Sequence, residues 1–341
     1  MPSGPAETKT FDPADGFAPL TDVKEVTDPT VFKLGDRWCM CVATEVANRP
    51  GIQLATASLP ERAPLSSSGW KLTAEGHNAT RIAVLPQERS VAWDLGGGRH
   101  CPSYAKGWDP HTHRWVERIY YAGAAQHLWG PYTIGYLEWH DEGWIDSPAP
   151  VFVATEPWER GSVYEPNVTY ADGKWKLWYV AGSNQEDYLI HGYAESENGR
   201  SHWTPHQIFA PADMKMFDFH VFQVGAAYEA VFSRVSLRGT PGAQTGLWRC
   251  RCDQPSPRLA DWCDPIQIMT AADRGWHSGP WKPTTAFTAD PDRLLVFFSG
   301  AYSRQDGSPF PFVFTLGCLE LPAGAAEGNI DKRDSAPTRS S

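Results

Sequence analysis

One segment of the sequence recurs five times, and this repetition restricts the fold more than any other feature. Each copy has an apolar strand, a polar turn and an aromatic strand, and the clearest copy is EPNVTYADGKWKLWYVAG, which begins at Glu165. The other copies begin at Asp28, Cys101, Asp218 and Lys282. A unit of this size cannot bury both of its faces alone, so the copies must stack against one another.

A third and a fourth extended segment accompany the copies. After each copy comes a short strand that opens with glycine, at Gly51, Gly135, Gly192, Gly246 and Gly317, with 54 to 84 residues between successive glycines. Four of these strands are followed by a tryptophan that begins a further extended segment, at Trp70, Trp144, Trp203 and Trp262, and the fifth such segment falls in the C-terminal tail. Four strands that recur five times are typical of a β-propeller.

We therefore predict an all-β fold, a five-bladed β-propeller with an axial active-site pocket. The 30 glycines, 29 prolines and 16 tryptophans agree with many short strands joined by turns. The predicted propeller spans residues 21–321. Residues 1–20 form an N-terminal extension, a candidate for a strand that closes the ring, and residues 322–341 are predicted to be a disordered tail. A large β-sandwich or a pair of small β domains is the alternative.

Charge and hydropathy exclude two classes of partner. The formal net charge is −10, from 30 Lys plus Arg against 40 Asp plus Glu, and it repels nucleic-acid backbones and anionic lipids. The apolar runs are far shorter than the roughly 20 residues of a membrane-spanning helix. The N-terminus carries no secretory signal pattern, which predicts a cytoplasmic location, and secretion is the alternative if the chain begins after a removed signal.

The innermost strand of each blade lines the central channel of a propeller, so the residues that open the five copies are expected to share one axial pocket. These residues are unusually polar. They are Asp28, the stretch 100–103, Glu165, Asp218 with His220, and Trp281 with Lys282.

The sequences TDPTVF and YEPNVTYADGKWKLWYVAG, with glycine-led strands such as GIQLATA and GYAES between them, resemble the five-bladed glycosidases of the arabinanase, levansucrase and invertase superfamily, including glycoside hydrolase family 43. The resemblance covers roughly residues 20–320. It implies that Asp28 on the first blade is the general base or nucleophile and that Glu165 on the third blade is the general acid.

The chemistry supports these roles independently of the resemblance. Cleavage of a glycosidic bond needs one carboxylic acid to protonate the leaving oxygen and one carboxylate to activate water or to attack. Burial and a neighbouring negative charge keep such an acid protonated near neutral pH. Tyr164, Trp158 and Trp281 are candidate pocket walls on which a sugar ring stacks, whereas packing between blades is the expected role of most other tryptophans.

One position departs from the resemblance. The related hydrolases carry an aspartate on the second blade in a context like APDV, where it orients the substrate and tunes the acid, and the matching CPSYA places Ser103 there. Ser103 is therefore a candidate substrate-binding residue. Asp94 and Asp109 are nearby, but neither has the expected spacing to a strand.

The remaining candidates have two interpretations each. Asp218 and His220 lie on one strand, and His220 is a candidate ligand for a substrate hydroxyl or a central ion such as calcium, or else an ordinary hydrogen-bonded histidine. Lys282 is a candidate partner of a carboxylate or of an anionic substrate group. His111 and His113 lack a third ligand nearby, so we predict no metal site and no cofactor.

The sequence therefore predicts a glycosidase that acts on a small-molecule or oligosaccharide substrate. A non-hydrolytic enzyme is the first alternative, either a phosphorylase or a catalyst of acid–base rearrangement of a secondary metabolite. Phosphorolysis needs several cations at the pocket, and the blade starts offer mainly Lys282, with Arg99 and Arg160 nearby. A binding propeller without catalysis is the second alternative.

Overall fold

A computed structural model describes residues 7–11, 19–60, 63–66, 69–86, 93–94, 96–126, 130–141, 143–183, 188–235, 244–271, 278–303 and 312–323. Within these ranges the chain forms 21 β-strands and three short 3₁₀ turns. The strands are β1 (Glu7–Phe11), β2 (Val23–Leu34), β3 (Arg37–Val46), β4 (Ile52–Ser58), β5 (Lys71–Leu72), β6 (Val84–Leu85), β7 (Gly98–Asp109), β8 (Arg114–Ala124), β9 (Tyr132–His140), β10 (Gly143–Asp146), β11 (Val163–Ala171), β12 (Lys174–Ser183), β13 (Tyr188–Ser196), β14 (Thr204–Ala210), β15 (Met216–Val224), β16 (Ala227–Arg234), β17 (Gly246–Cys252), β18 (Ile266–Thr270), β19 (Ser278–Phe287), β20 (Arg293–Ser303) and β21 (Phe312–Pro322).

The strands form five antiparallel sheets, which we number along the chain. Sheet 1 contains β2, β3 and β4, with the short strands β5 and β6 both paired to β4; sheet 2 contains β7 to β10; sheet 3 contains β11 to β14; sheet 4 contains β15 to β18. Sheet 5 contains β19, β20 and β21, with β1 on its outer edge. A single parallel pairing of Ile52 with Gly98 joins sheets 1 and 2.

The five sheets close into a ring. The innermost strands β2, β7, β11, β15 and β19 contact one another in that order, and β19 contacts β2. This arrangement confirms the predicted five-bladed propeller, and it excludes a β-sandwich. The chain closes the ring from its N-terminus, because β1 pairs with β21 from Glu7 opposite Leu319 to Phe11 opposite Leu316. The fourth strand of the fifth sheet therefore comes from the N-terminal segment, and placing it in the C-terminal tail is wrong.

Aromatic side chains fill the spaces between the sheets. Trp175, Tyr120 and Trp203 share one apolar cluster, and Trp178 and Trp262 belong to another. Large aromatic side chains bury about 150–250 Å² each, so these residues contribute much of the packing between sheets. Most of the predicted tail, residues 324–341, lies outside the described residues. Within the described part of the chain, no helix is long and apolar enough to cross a membrane.

Each innermost strand contains a β-bulge at the same place, and this feature positions the site. The pairing with the second strand shifts between Thr27 and Thr30 in β2, and it shifts at the corresponding place in β7, β11, β15 and β19. Four of the bulges contain a residue followed by proline, and that residue has a positive φ: Asp28 at 51°, Cys101 at 54°, Glu165 at 50° and Lys282 at 48°. Such a conformation is unfavourable for residues with a β-carbon and is often found at functional sites.

Candidate active site

One polar side chain from each sheet meets at the axis. We call this set the axial cluster, and its members are Asp28, Cys101, Glu165, Asp218 and Lys282. All five are buried, and Asp28 and Glu165 keep the largest exposed fractions among the charged members, 9% and 6%, against 0% for Asp218 and 2% for Lys282. Asp28 and Glu165 are therefore the least deeply buried of the charged members.

Cys101 lies between these two carboxyl groups. Its backbone N–H donates to Asp28 Oδ2 over 3.3 Å, and its Sγ lies 2.7 Å from Glu165 Oε1. The hydroxyl of Thr27 donates to Asp28 Oδ1 over 2.9 Å. The backbone N–H of Asp28 donates to Ser299 Oγ over 2.8 Å, which ties sheet 1 to sheet 5 at this point. Asp28 is thus held from both neighbouring sheets.

Lys282 places a positive charge next to two carboxyl groups. Its Nζ lies 3.8 Å from Glu165 Oε2 and 3.9 Å from Asp218 Oδ1, and it donates to the carbonyl oxygen of Pro166 over 2.6 Å. Asp218 Oδ2 accepts from the backbone N–H of Lys282 at 2.8 Å and from Ser233 Oγ at 3.0 Å. Neither Glu165 Oε2 nor Asp218 Oδ1 has a hydrogen-bond donor within reach among the described residues. The ammonium group of Lys282 is therefore the nearby positive charge that offsets the burial of these two oxygens.

These surroundings raise the pKa of both candidate catalytic carboxyl groups. Burial, followed by the negative charge of Asp218, raises the pKa of Glu165 well above its ordinary value, and Lys282 opposes the shift. Burial also raises the pKa of Asp28, but the Thr27 hydrogen bond and Lys282 favour its ionised form. Burial and the charge of Glu165 raise the pKa of the Cys101 thiol, which is therefore neutral at physiological pH. Burial and the charge of Asp218 thus favour the protonated form of Glu165.

The residues immediately before the axial cluster form a collar that is mostly aromatic. Its members are Thr27, His100, Tyr164, Phe217 and Trp281. Tyr132 of β9 links two of them, with ring centroids 5.6 Å from His100 and 5.2 Å from Tyr164. Tyr164 in turn packs against Phe217, and the half-buried Trp281 packs against Phe314. Tyr164 and Trp281, predicted as pocket walls, thus flank the axial cluster.

Ser103 and His220 have a different position from the one that the spacing suggests. Ser103 Oγ accepts a hydrogen bond of 3.0 Å from the backbone N–H of Val168, and His220 Nε2 lies 3.3 Å from the backbone nitrogen of Thr285. Thr30 and Thr284 accept equivalent bonds from the next strand around the ring. These side chains join adjacent innermost strands, and burial lowers the pKa of His220 to about 3, so it acts as a neutral hydrogen-bonding partner.

The other candidate residues lie in the blades. Trp158 stacks on Tyr179, with centroids 6.1 Å apart, and packs against the aromatic cluster between sheets 2 and 3, so it is not a wall of the axial cluster. Asp94 is 2.7 Å from Arg99, and Asp109 is 2.7 Å from Arg118, in buried ion pairs. These pairs stabilise sheet 2 and its neighbours.

The sequence did not single out two residues of the site. Cys101 was expected at the axis only as part of the stretch 100–103, although Cys101-Pro102 has the same form as Asp28-Pro29, Glu165-Pro166 and Lys282-Pro283. Tyr132 has no such signal, since it comes from the third strand of sheet 2 and reaches the collar only through the fold. In the described part of the chain, no group of three or more His, Cys, Asp or Glu side chains is arranged to hold a metal ion.

Solved structures with the same fold are glycoside hydrolases. A thermostable family-43 glycoside hydrolase is 14% identical, with a TM-score of 0.61 over 95% of this chain and 98% of that chain. The catalytic domain of the Coprinopsis cinerea GH62 α-L-arabinofuranosidase is 13% identical, with a TM-score of 0.61 over 94% and 98% of the two chains. The Xanthomonas citri GH43_1 enzyme, solved with xylose, is 14% identical, with a TM-score of 0.60 over 91% of each chain.

The comparison by sequence gives no such match. No protein-family model matches the chain, and no curated protein sequence does. At identities this low the structural likeness establishes the fold, which is that of the five-bladed propeller glycoside hydrolases. The chemistry has to be argued from the axial cluster itself.

Proposed function

We propose that the chain is a glycoside hydrolase that cleaves a glycosidic bond at the axial cluster, with Glu165 as general acid and Asp28 as general base or nucleophile. The observation that supports the proposal most directly is that two carboxyl groups from different sheets, Asp28 and Glu165, flank Cys101 at the axis, where burial raises the pKa of Glu165 well above its ordinary value. A carboxyl group that keeps its proton next to a second carboxyl group is suited to act as the general acid in glycoside cleavage.

In the proposed reaction, protonated Glu165 donates its proton to the oxygen of the leaving group. Ionised Asp28 activates a water molecule or attacks the anomeric carbon directly. The hydrogen bonds from Thr27 and from the Cys101 N–H support this ionised form and fix the direction of the carboxylate. Burial, followed by the negative charge of Asp218, keeps Glu165 protonated, and Lys282 limits that effect.

The collar supports a sugar as the ligand. Trp281 is half-buried and packs against Phe314, whereas Tyr164, next to Glu165 in the sequence, is buried against Tyr132 and Phe217. A partly exposed aromatic ring such as that of Trp281 offers an apolar face with polar groups next to it, as small-molecule sites commonly do. Because two of the structural neighbours are described as an arabinofuranosidase and as a xylose complex, pentose glycosides are the first substrates to test.

A second candidate function is ligand binding without turnover, and Lys282 favours it. Its ammonium lies 3.8 Å from Glu165 Oε2 and opposes protonation of that carboxyl group. Phosphorolysis has less support, because Arg99 is held by Asp94 and Asp146 in buried ion pairs of 2.7 Å and is not free to bind phosphate.

The roles of the two carboxyl groups are separable by the choice of substrate. Nitrophenyl arabinofuranosides and xylosides have a leaving group that needs little protonation, whereas unactivated oligosaccharides need a general acid. We expect Asp28→Asn to lower kcat/KM by about 10²- to 10⁴-fold on both substrate types. Glu165→Gln should cause a loss of that size on oligosaccharides and a much smaller loss on nitrophenyl glycosides.

Glu320→Gln, an exposed glutamate on β21, is the matched control and should leave turnover unchanged. Turnover that survives in both Asp28→Asn and Glu165→Gln would refute the assignment. Saturable binding of a sugar with no turnover, unaffected by Glu165→Gln, would support the second candidate function.

A further inference from the structure

The position of Cys101 differs from that of every other cysteine of the chain. The remaining six thiols lie at Cys39, Cys41, Cys250, Cys252, Cys263 and Cys318. Cys101 alone belongs to the axial cluster, where its backbone N–H contacts one candidate catalytic carboxyl group and its thiol contacts the other. A single residue thus touches both Asp28 and Glu165 with two different polar groups.

The same backbone feature, a bulge with a positive φ, places Cys101 and the two candidate catalytic residues at the axis. Like Asp28 and Glu165, it precedes a proline, has a positive φ and occupies a bulge in an innermost strand. In an unbroken strand, Cys101 and Ser103 would face the same side. The bulge between His100 and Ser103 separates their directions, so Cys101 turns to the axis while Ser103 bonds to the next strand.

A neutral side chain at position 101 adds no further negative charge to the axial cluster. Three carboxyl groups already share one ammonium group, and the negative charge with the largest effect on Glu165 comes from Asp218 on sheet 4. A carboxylate at position 101 would add a fourth carboxyl group to the cluster, in direct contact with Glu165. A neutral thiol instead contacts Glu165 Oε1 and leaves Oε2 to face Lys282.

We propose that Cys101 is a positioning residue that holds the Asp28 and Glu165 carboxyl groups in one arrangement, through its N–H and its thiol respectively, without adding a negative charge to the site. The catalytic roles of the two carboxyl groups rest on the proposed function, but the two contacts and the charge balance do not. Cys101 itself is not proposed as a nucleophile, since a thiol that is buried beside carboxylates stays protonated.

The test is a direct titration of the two carboxyl groups in the ligand-free protein. Carbon-13 NMR of protein labelled at the Asp and Glu carboxyl carbons follows each group, with Asp28→Asn and Glu165→Gln used to assign the signals. The variants are Cys101→Ser, Cys101→Ala and Cys101→Asp. Cys318→Ala, which truncates another buried thiol in a strand of sheet 5, is the matched control.

We expect the Cys101 variants to differ in the pKa of Glu165 in a fixed order. A hydroxyl keeps a donor to Oε1, so Cys101→Ser should leave the pKa of Glu165 unchanged or lower it. Cys101→Ala removes the donor and should raise the pKa, and Cys101→Asp adds a like charge and should raise it by about one unit or more. The pKa of Asp28 should stay close to its wild-type value in Cys101→Ser, whereas Cys101→Ala removes a side-chain hydrogen bond that lowers this pKa and should raise it slightly. Once a substrate is known, the alkaline limb of the kcat/KM profile should move in the same order.

Equal Glu165 titration in wild type, Cys101→Ala and Cys101→Asp would overturn the inference. If Cys101→Asp does not fold, as judged by circular dichroism, the comparison of the Ser and Ala variants decides the question alone. Because the titration needs no substrate, the order of values can be observed even if no glycoside is hydrolysed. The expected order of pKa values without any glycoside hydrolysis would support the positioning role and reject the proposed function. Glycoside hydrolysis with equal Glu165 pKa values in all variants would support the proposed function and reject the positioning role.

Discussion

Replacing Lys282 by methionine tests whether its charge balances the axial cluster. Methionine keeps most of the side-chain volume and the backbone N–H that binds Asp218, so the main change is the loss of the ammonium group. That group lies 3.8 Å from Glu165 Oε2 and 3.9 Å from Asp218 Oδ1. At such distances each attraction is worth about 4 kcal/mol with an effective dielectric constant of about 20.

The net loss of stability is smaller than the sum of these attractions, because burying the lysine is itself unfavourable. Removing one member of a buried ion pair typically destabilises a protein by about 3–5 kcal/mol, and we expect a loss of that size for Lys282→Met near pH 8. The loss should shrink at lower pH. Without Lys282 the folded-state pKa of Glu165 rises further, and this adds to the loss only at pH values above the wild-type folded-state pKa, where Glu165 would otherwise ionise beside Lys282.

Urea unfolding of both proteins at pH 5 and pH 8 measures the difference in free energy of unfolding. The control is Lys176→Met, a buried lysine outside the axis whose partner Glu195 is 3.1 Å away and partly exposed. The pKa of Glu195 is lowered by its hydrogen bonds to Tyr193 and the two lysines, after the opposing effect of burial. It stays ionised at both pH values, so the control should lose about 1 kcal/mol with little dependence on pH. A loss for Lys282→Met below about 1 kcal/mol at pH 8, or one equal at both pH values, would refute the reasoning.

Three further perturbations test the fold and the site. Arg118→Met should lower the free energy of unfolding by about 3–5 kcal/mol in urea, because Arg118 pairs with Asp109 and Glu138 in a fully buried network; a loss below about 1 kcal/mol would contradict the importance of the network. Deleting residues 1–11 should lower Tm and promote association in light scattering, because β21 loses its partner strand and becomes an edge; an unchanged, monomeric protein would contradict ring closure by β1. Dialysis against EDTA should leave Tm unchanged, because Lys282 already supplies the positive charge beside Glu165 and Asp218; a fall in Tm that calcium reverses would contradict this.

The number and order of the strands could be predicted because the signals are local and repeated. A polar turn such as ADGK follows an apolar strand in each copy, and such turns fix a hairpin wherever they occur. The pairing of β1 with β21 joins residues about 310 positions apart, from Glu7 opposite Leu319. Such a contact depends on ring closure, which periodicity cannot reveal, and the sequence reasoning therefore named the N-terminal segment only as a candidate.

The site could be predicted where a polar residue opens a copy of the repeat. The prediction failed where the bulge changed the direction of the side chains. Asp28, Glu165, Asp218 and Lys282 open their copies, and all four reach the axis. Ser103 was chosen by matching CPSYA to the APDV context of the related hydrolases. A motif match does not reveal the bulge in β7, which turns Cys101 to the axis and leaves Ser103 bonded to the next strand.

Asp218 on sheet 4 offsets the apparent loss of an acid on sheet 2. The resemblance predicts three carboxyl groups, and the axial cluster contains three: Asp28, Glu165 and Asp218. The third one comes from sheet 4, where Phe219 follows Asp218 in place of a proline. Its charge is the largest electrostatic influence that raises the pKa of Glu165. A neutral Cys101 is then consistent with an active acid, because the negative charge that tunes Glu165 is already supplied from another sheet. Asp218→Asn should therefore lower the pKa of Glu165, whereas Ser103→Ala should leave it unchanged, and the carboxyl titration described for Cys101 measures both.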